Sequence, residues 1–149
     1  MKKRNDRQQA IRQIVREHTV KTQQELVTYL QLAGYDCTQA TVSRDVSELG
    51  VRKLGDATYI LAEDMHLSRM AEDLVEYLTL VNNMVIIKTQ PGTGPGVAAA
   101  LDAAELPGVA GSISGDDTIL IICATPELAS RFVDQFESCC GRQFARRDS

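Results

Sequence analysis

Apolar residues recur along this chain in two different rhythms. Over the first third they return every three or four positions, as on one face of a helix; further on they gather into short unbroken runs, as in buried strands. Ile11, Ile14 and Val15 set the first helical stripe, which predicts a helix over Asp6–His18. Thr22-Gln23-Gln24-Glu25 reads as a capping box, with the Thr hydroxyl serving the third amide and the Glu reaching back. Leu26, Val27 and Leu30 follow as the buried face of this second helix, and Gly34 is placed to end it. A third helix opens at Thr38 or Gln39 and stops at Gly50, with Ala40, Val42, Val46 and Leu49 inward and Gln39, Thr41, Ser43, Arg44 and Ser47 on the other face. Val51-Arg52-Lys53-Leu54 and Thr58-Tyr59-Ile60-Leu61 then flank Gly55-Asp56-Ala57, the pattern of a hairpin.

The polar stretch Ala62–His66 is read as a linker. Leu67–Tyr77 is expected to be a helix with Met70, Leu74, Val75 and Leu78 on one side. Leu78–Val81 and Met84–Thr89 read as strands joined by a tight Asn82-Asn83 turn. Gln90–Gly96, rich in Pro and Gly, breaks the chain before an Ala-rich helix over Val97–Glu105. A second strand pair follows, Val109–Ser114 and Thr118–Ala124, with Gly115-Asp116-Asp117 at its turn. Pro126 suits the first turn of a last helix that runs to about Cys139, with Leu128, Phe132, Val133 and Phe136 inward. The tail Arg142–Ser149 is expected to be mobile.

These elements predict an α+β chain: a winged helix-turn-helix over residues 1–62, a linker and connecting helix over 63–77, and a ββαββα domain with a four-stranded sheet over 78–149. Helices on one sheet face would leave the other face apolar and uncovered, which implies self-association.

Composition narrows the class. With 149 residues and 44% hydrophobic content, the chain can build one domain or two small ones. No apolar run approaches the ~18 residues of a membrane span, and the start MKKRNDRQQA lacks the apolar stretch of a signal peptide. Cys37, Cys123, Cys139 and Cys140 show no C-x-x-C spacing, so a reducing cytoplasm is expected and structural zinc is not. Charge is uneven: residues 1–62 carry ten Lys/Arg against seven Asp/Glu, whereas residues 63–149 carry six against thirteen. A mildly basic front and an acidic back suit different partners.

Two stretches carry candidate chemistry. A surface helix ordinarily shows Glu and Lys, whereas the third helix shows Gln39, Thr41, Ser43, Arg44 and Ser47, side chains that hydrogen-bond base edges and phosphates. The short connection near Tyr35–Thr38 fits a helix-turn-helix. The second stretch is the pair Asp116-Asp117 at the mouth of the apolar run Ile119–Cys123. Carboxylates there ask for a cation. A Lys or Arg of the chain, a metal, a cationic ligand with guanidinium or ammonium donors, and a plain solvated turn all answer to that description. Metal and catalytic readings lack nearby partners, since His18 and His66 lie elsewhere. The Gly-rich Pro91–Gly96 loop lacks the Lys-Ser/Thr of a phosphate-binding P-loop.

The chain resembles the bacterial arginine repressors. The resemblance covers nearly its whole length and rests on Thr38–Val46 (TQATVSRDV), Gly50-Val51-Arg52-Lys53, Pro91-Gly92 before the middle helix, and Gly111–Leu120 (GSISGDDTIL). It implies a non-enzymatic, DNA-binding transcriptional repressor of arginine biosynthesis, and of catabolism genes in some members. Trimers would pair into hexamers, with L-arginine as co-repressor bound between them and no other cofactor. Ser43 and Arg44 would read a palindromic operator in double-stranded DNA, together with Gln39 and Thr41, while Arg52 and Lys53 would contact DNA from the wing. Asp116 and Asp117 would hold arginine, and Asp102 matches a further acidic position of that site. Where the family often carries a polar residue, commonly Gln, this chain has Pro95. A regulator sensing another small cation or amino acid, an accessory DNA-architecture protein and a small metal-dependent enzyme are the alternatives.

Overall fold

Helix signals and turn residues account for most of the first unit. The computed structural model describes residues 2–147 and divides into two units between Ala62 and Glu63. In the first, helices α1 (Lys2–Glu17), α2 (Gln23–Leu32) and α3 (Gln39–Glu48) precede a hairpin of β1 (Val51–Lys53) and β2 (Tyr59–Leu61). Thr22 caps α2 by accepting the Glu25 amide, while the Glu25 carboxylate accepts the Lys21 amide. At the other end Gly34 takes φ +92°, and the Tyr35 amide reaches back to Leu30 O, closing a Schellman turn. Ile11, Leu26, Leu30, Val42 and Leu61 are fully buried together beneath the three helices.

Two sequence expectations shift here. The first helix extends to Lys2 rather than starting at Asp6, because polar helix formers continue it where apolar periodicity gives no signal. Ala40 is exposed rather than inward, and Asp45 takes the buried place beside Val42 and Val46.

Helix α4 (Ala62–Leu74), all but its first residue in the second unit, is followed there by β3 (Val75–Val81), β4 (Met84–Thr89), α5 (Gly94–Ala104), β5 (Val109–Ser114), β6 (Thr118–Cys123), α6 (Pro126–Cys140) and β7 (Ala145–Arg146). The supposed linker Ala62–His66 is the first turn of α4, with Glu63 and Asp64 at its N-terminus, where acids favour a helix. The connecting helix ends at Leu74, so residues 75–77 are strand and not helix. Val75 and Leu78 fit either period, and pairing of Val75 with Thr89 decides for the strand.

The sheet has five strands in the order β5-β6-β4-β3-β7, not four. The fifth is the tail expected to be mobile: Ala145 and Arg146 pair parallel to Tyr77 and Leu78, and buried Phe144 stacks on Phe136. Arg142 lies over the Phe144 ring, and Arg146 pairs with Glu137. Asp148 and Ser149 lie outside the described residues.

All three helices of this unit cover one face of the sheet, where Ile87, Ile119 and Ile121 meet Val97, Phe132 and Phe136. On the other face the register aligns Met84 with Ile122, Ile86 with Leu120, and Leu120 with Ile113. Ile113 is 60% exposed. This face is uncovered, as the apolar strands imply.

The middle helix starts three residues earlier than the sequence indicates. Gly94-Pro95-Gly96 forms its first turn rather than a break, with Pro95 at a position whose fixed φ suits a helix start. Gly94 is buried against the β5–β6 turn: a Cβ there would lie 2.4 Å from Gly115 O and 2.9 Å from Asp116 O. We therefore expect Gly94→Ala to destabilise the second unit by about 1–3 kcal/mol through forced overpacking. Urea denaturation followed by a probe in that unit checks this, and an unchanged midpoint would contradict the close approach.

Candidate DNA interface and acidic turn

Helix α3 advances about 100° per residue, which sets its exposed and buried faces. Ala40, Ser43, Arg44 and Ser47 centre the outward face, with Gln39 on one shoulder. Gln39 and Arg44 are exposed, and Ser43 is half-buried beside the Gln23 amide at 3.5 Å. Thr41 stands on the opposite shoulder, and its hydroxyl lies 3.1 Å from that of the cap residue Thr38. Like Ser43 it is half-buried.

The helix is anchored by a network that the sequence reading did not find. Asp45 is 2% exposed, and its carboxylate accepts Arg7 Nε at 2.5 Å, Arg7 Nη2 at 3.2 Å and Gln8 Nε2 at 3.2 Å. Gln8 also donates to Glu48 at 2.9 Å, and Arg4 pairs with Glu48. Both acids of α3 are thus neutralised from α1. That leaves Arg44 as the uncompensated charge of the helix, a good arrangement for a surface that meets phosphates. Burial pushes the Asp45 carboxyl up, but the Arg7 and Gln8 hydrogen bonds and the Arg7 charge outweigh it, so the group titrates below its ordinary value. The readable signal was an acid on the apolar stripe of a helix.

In the wing, Arg52 and Lys53 are both exposed and, as strand neighbours, point to opposite sides. Lys53 sits opposite Tyr59 in the hairpin, with its ammonium 5.2 Å from the ring centroid. Asp56 tightens the turn by accepting the Thr58 amide.

The acidic turn of the second unit lies where three elements converge. The Gly115 amide donates to Thr118 O and closes the hairpin. The Thr89 amide donates to Asp117 O at 2.8 Å, and the Gly94 amide to Asp116 O at 2.8 Å. The two carboxylates, adjacent in sequence, have unlike surroundings. Asp117 accepts Lys88 Nζ at 2.6 Å on one oxygen and the Thr118 hydroxyl at 3.0 Å on the other. The Lys88 hydrogen bond, followed by that from Thr118, holds the Asp117 carboxyl below its ordinary range; the same bond raises Lys88. Asp116 is exposed, and its carboxylate accepts the Gly92 amide at 3.0 Å.

One cation demanded by the sequence is therefore Lys88. A single Lys at the end of the apolar strand Met84–Thr89, opposite Thr118, was the available signal. Asp102 is not brought to this turn within one chain. It accepts the Ser112 hydroxyl at 3.0 Å, eight residues along α5 from Gly94, about 12 Å on a helix. Among the described residues no group of three or more His, Cys, Asp or Glu could hold a metal ion. None of their helices is long and apolar enough to cross a membrane.

A winged helix with a polar, Arg-bearing recognition face, followed by an α+β unit with an open apolar sheet face, defines a winged-helix DNA-binding regulator. Residues 1–67 match the family model described as the arginine repressor DNA binding domain, and residues 71–138 match that of the arginine repressor C-terminal domain. The chain is 39% identical to the arginine repressor of Carboxydothermus hydrogenoformans over 142 residues, covering 88% of this chain and 95% of the relative. It is 40% identical to that of Syntrophomonas wolfei over 141 residues, covering 88% and 92%. With the arginine repressor of Bacillus velezensis, identity is 39% over 127 residues, covering 78% and 85%. The chain belongs to the arginine repressor family, which comprises DNA-binding transcriptional repressors and not enzymes.

Replacing Asp45 by Asn should cost the first unit about 1–3 kcal/mol at neutral pH through the lost charged hydrogen bonds. The folded carboxyl titrates below its unfolded value of about 3.9. Its contribution is therefore fully present above that value and lost as pH falls through the folded one. Melting curves of the wild type and Asp45→Asn should converge in strong acid; a gap that stays constant down to pH of about 2 would contradict the role of this pair.

Proposed function

We propose that this chain represses arginine biosynthesis genes in response to L-arginine, acting in the cytoplasm as a homo-oligomer in which trimers pair into hexamers. Asp116 carries the reading. It is an exposed carboxylate held in place by the Gly92 amide and by the fixed backbone of its turn. A guanidinium matches such an acceptor with charge-assisted bonds. Asp117 lies beside it, and Asp102 would reach the ligand from a neighbouring copy, so that the site is completed between subunits. The open apolar face, with Met84, Ile86, Leu120 and Ile122, would be covered in the oligomer. Pro95 stiffens the helix start beside the turn without supplying a side-chain donor.

Without ligand, carboxylates gathered at a subunit interface repel one another. Bound arginine supplies the missing positive charge and tightens the assembly. The assembly then presents several winged helices together, and multivalent contact offsets the modest charge of each. Gln39, Thr41, Ser43 and Arg44 would read base edges of a palindromic operator in double-stranded DNA, with Arg52 and Lys53 on the backbone. By linkage, arginine and operator each strengthen the other's binding, by about 1–3 kcal/mol in typical cases.

Arg44→Ala should weaken operator binding by about 1–3 kcal/mol per engaged half-site and leave arginine binding intact. Unchanged affinity in a gel-shift titration would remove Arg44 from the interface. Asp116→Asn should fold and yet bind arginine far more weakly; wild-type affinity in calorimetry would overturn the ligand assignment.

A further inference from the structure

Lys88 is the one group at the acidic turn that neither the motif nor the ligand reading accounts for. It stands on the outer face of β4, opposite Thr118, with its side chain 28% exposed. Its ammonium lies 2.6 Å from Asp117 Oδ2 and 3.5 Å from Thr118 Oγ1, and the Thr118 hydroxyl donates to the other Asp117 oxygen. Asp117 is thereby supplied with a cation from its own chain, whereas Asp116 is left facing solvent. The turn holds two carboxylates and one ammonium, and so carries a single net negative charge.

We propose that Lys88 is a specificity-determining residue: by neutralising Asp117 from within, it removes one negative charge from the turn and so disfavours a dication relative to a ligand of net charge +1. The inference rests on the reading of this turn as the L-arginine site. L-Arginine carries a guanidinium, an ammonium and a carboxylate, and thus a net charge of +1. Agmatine, the decarboxylated analogue, carries two positive charges and gains the more from each open carboxylate. With Lys88 seated on Asp117, its second cation meets an ammonium instead of an open carboxylate. Removing the Lys88 charge frees Asp117 and turns a repulsion into an attraction.

The test is calorimetric titration of the full-length chain with L-arginine and, separately, agmatine. Wild type should prefer L-arginine. Lys88→Met should raise the ratio of agmatine to arginine affinity roughly tenfold. Lys88→Arg, which keeps the charge, should retain the wild-type ratio. Lys88→Met combined with Asp117→Asn restores a single negative charge and should bring the ratio back. A merely structural lysine would lower both affinities together, and the second substitution would not reverse the loss. If Lys88→Met does not fold, Lys88→Gln serves the same comparison. Arginine binding with an unchanged ratio in the neutral variant overturns the role of Lys88 alone. A wild-type chain that binds neither compound overturns the site assignment beneath it.

Discussion

The second unit depends on how the turn between β5 and β6 is fastened to the segment Lys88–Gly94. The Thr89 and Gly94 amides take the carbonyls of Asp117 and Asp116, the Gly92 amide takes the Asp116 carboxylate, and Lys88 takes that of Asp117. Thr89 is fully buried, and a methyl at Gly94 would collide with the turn's backbone. The end of the central strand, the start of α5 and the acidic turn are therefore one mechanical body. Its polar rim lies at the end of the open apolar sheet face, where the Lys88–Thr118 pair follows the Ile86–Leu120 pair on the same side. A charge placed on that rim acts on whatever covers the face.

Both units use the same electrostatic device. In the first, Asp45 and Glu48 would oppose phosphates if left bare, and Arg7, Gln8 and Arg4 of α1 neutralise them. In the second, Lys88 neutralises Asp117. In each case groups from the chain's own fold silence nearby acids and leave a neighbouring charge, Arg44 or Asp116, exposed. Burial decides how much each pair contributes to stability. The Arg7–Asp45 pair is largely enclosed, so its geometry fixes α1 against α3. The Lys88–Asp117 pair is partly exposed and adds little to stability, since solvent screens it. Its consequence is the charge of the turn.

The sequence was most legible where structure is local. The Thr22 and Thr38 caps, the left-handed Gly34 and Gly50, and the Gly115–Asp117 turn follow from residue types within a few positions of one another. Asp116 and Asp117 stood out by the same kind of local signal, whereas Asp102 came from the family resemblance, and within one chain it bonds Ser112 instead of joining the pair. What sequence reading missed was distant in sequence. Lys88 meets an acid 29 positions away, and Arg7 meets one 38 positions away. The docked tail failed for another reason: a two-residue strand has no periodicity, and only Phe144 marks the spot where it anchors. The boundary at Leu74 was lost because Leu74, Val75 and Leu78 satisfy a helical stripe as well as a strand, and only pairing with β4 chooses.

In the proposed function, a small cation at the acidic turn controls assembly and, through assembly, DNA binding. Sedimentation velocity of the full-length chain over an L-arginine titration, with operator binding followed by fluorescence anisotropy on the same samples, tests it most directly. Arginine should shift the sedimenting species to the larger assembly and raise operator affinity over the same concentration range. Operator affinity that rises with no change in assembly, or an assembly and an affinity both indifferent to arginine, would contradict it.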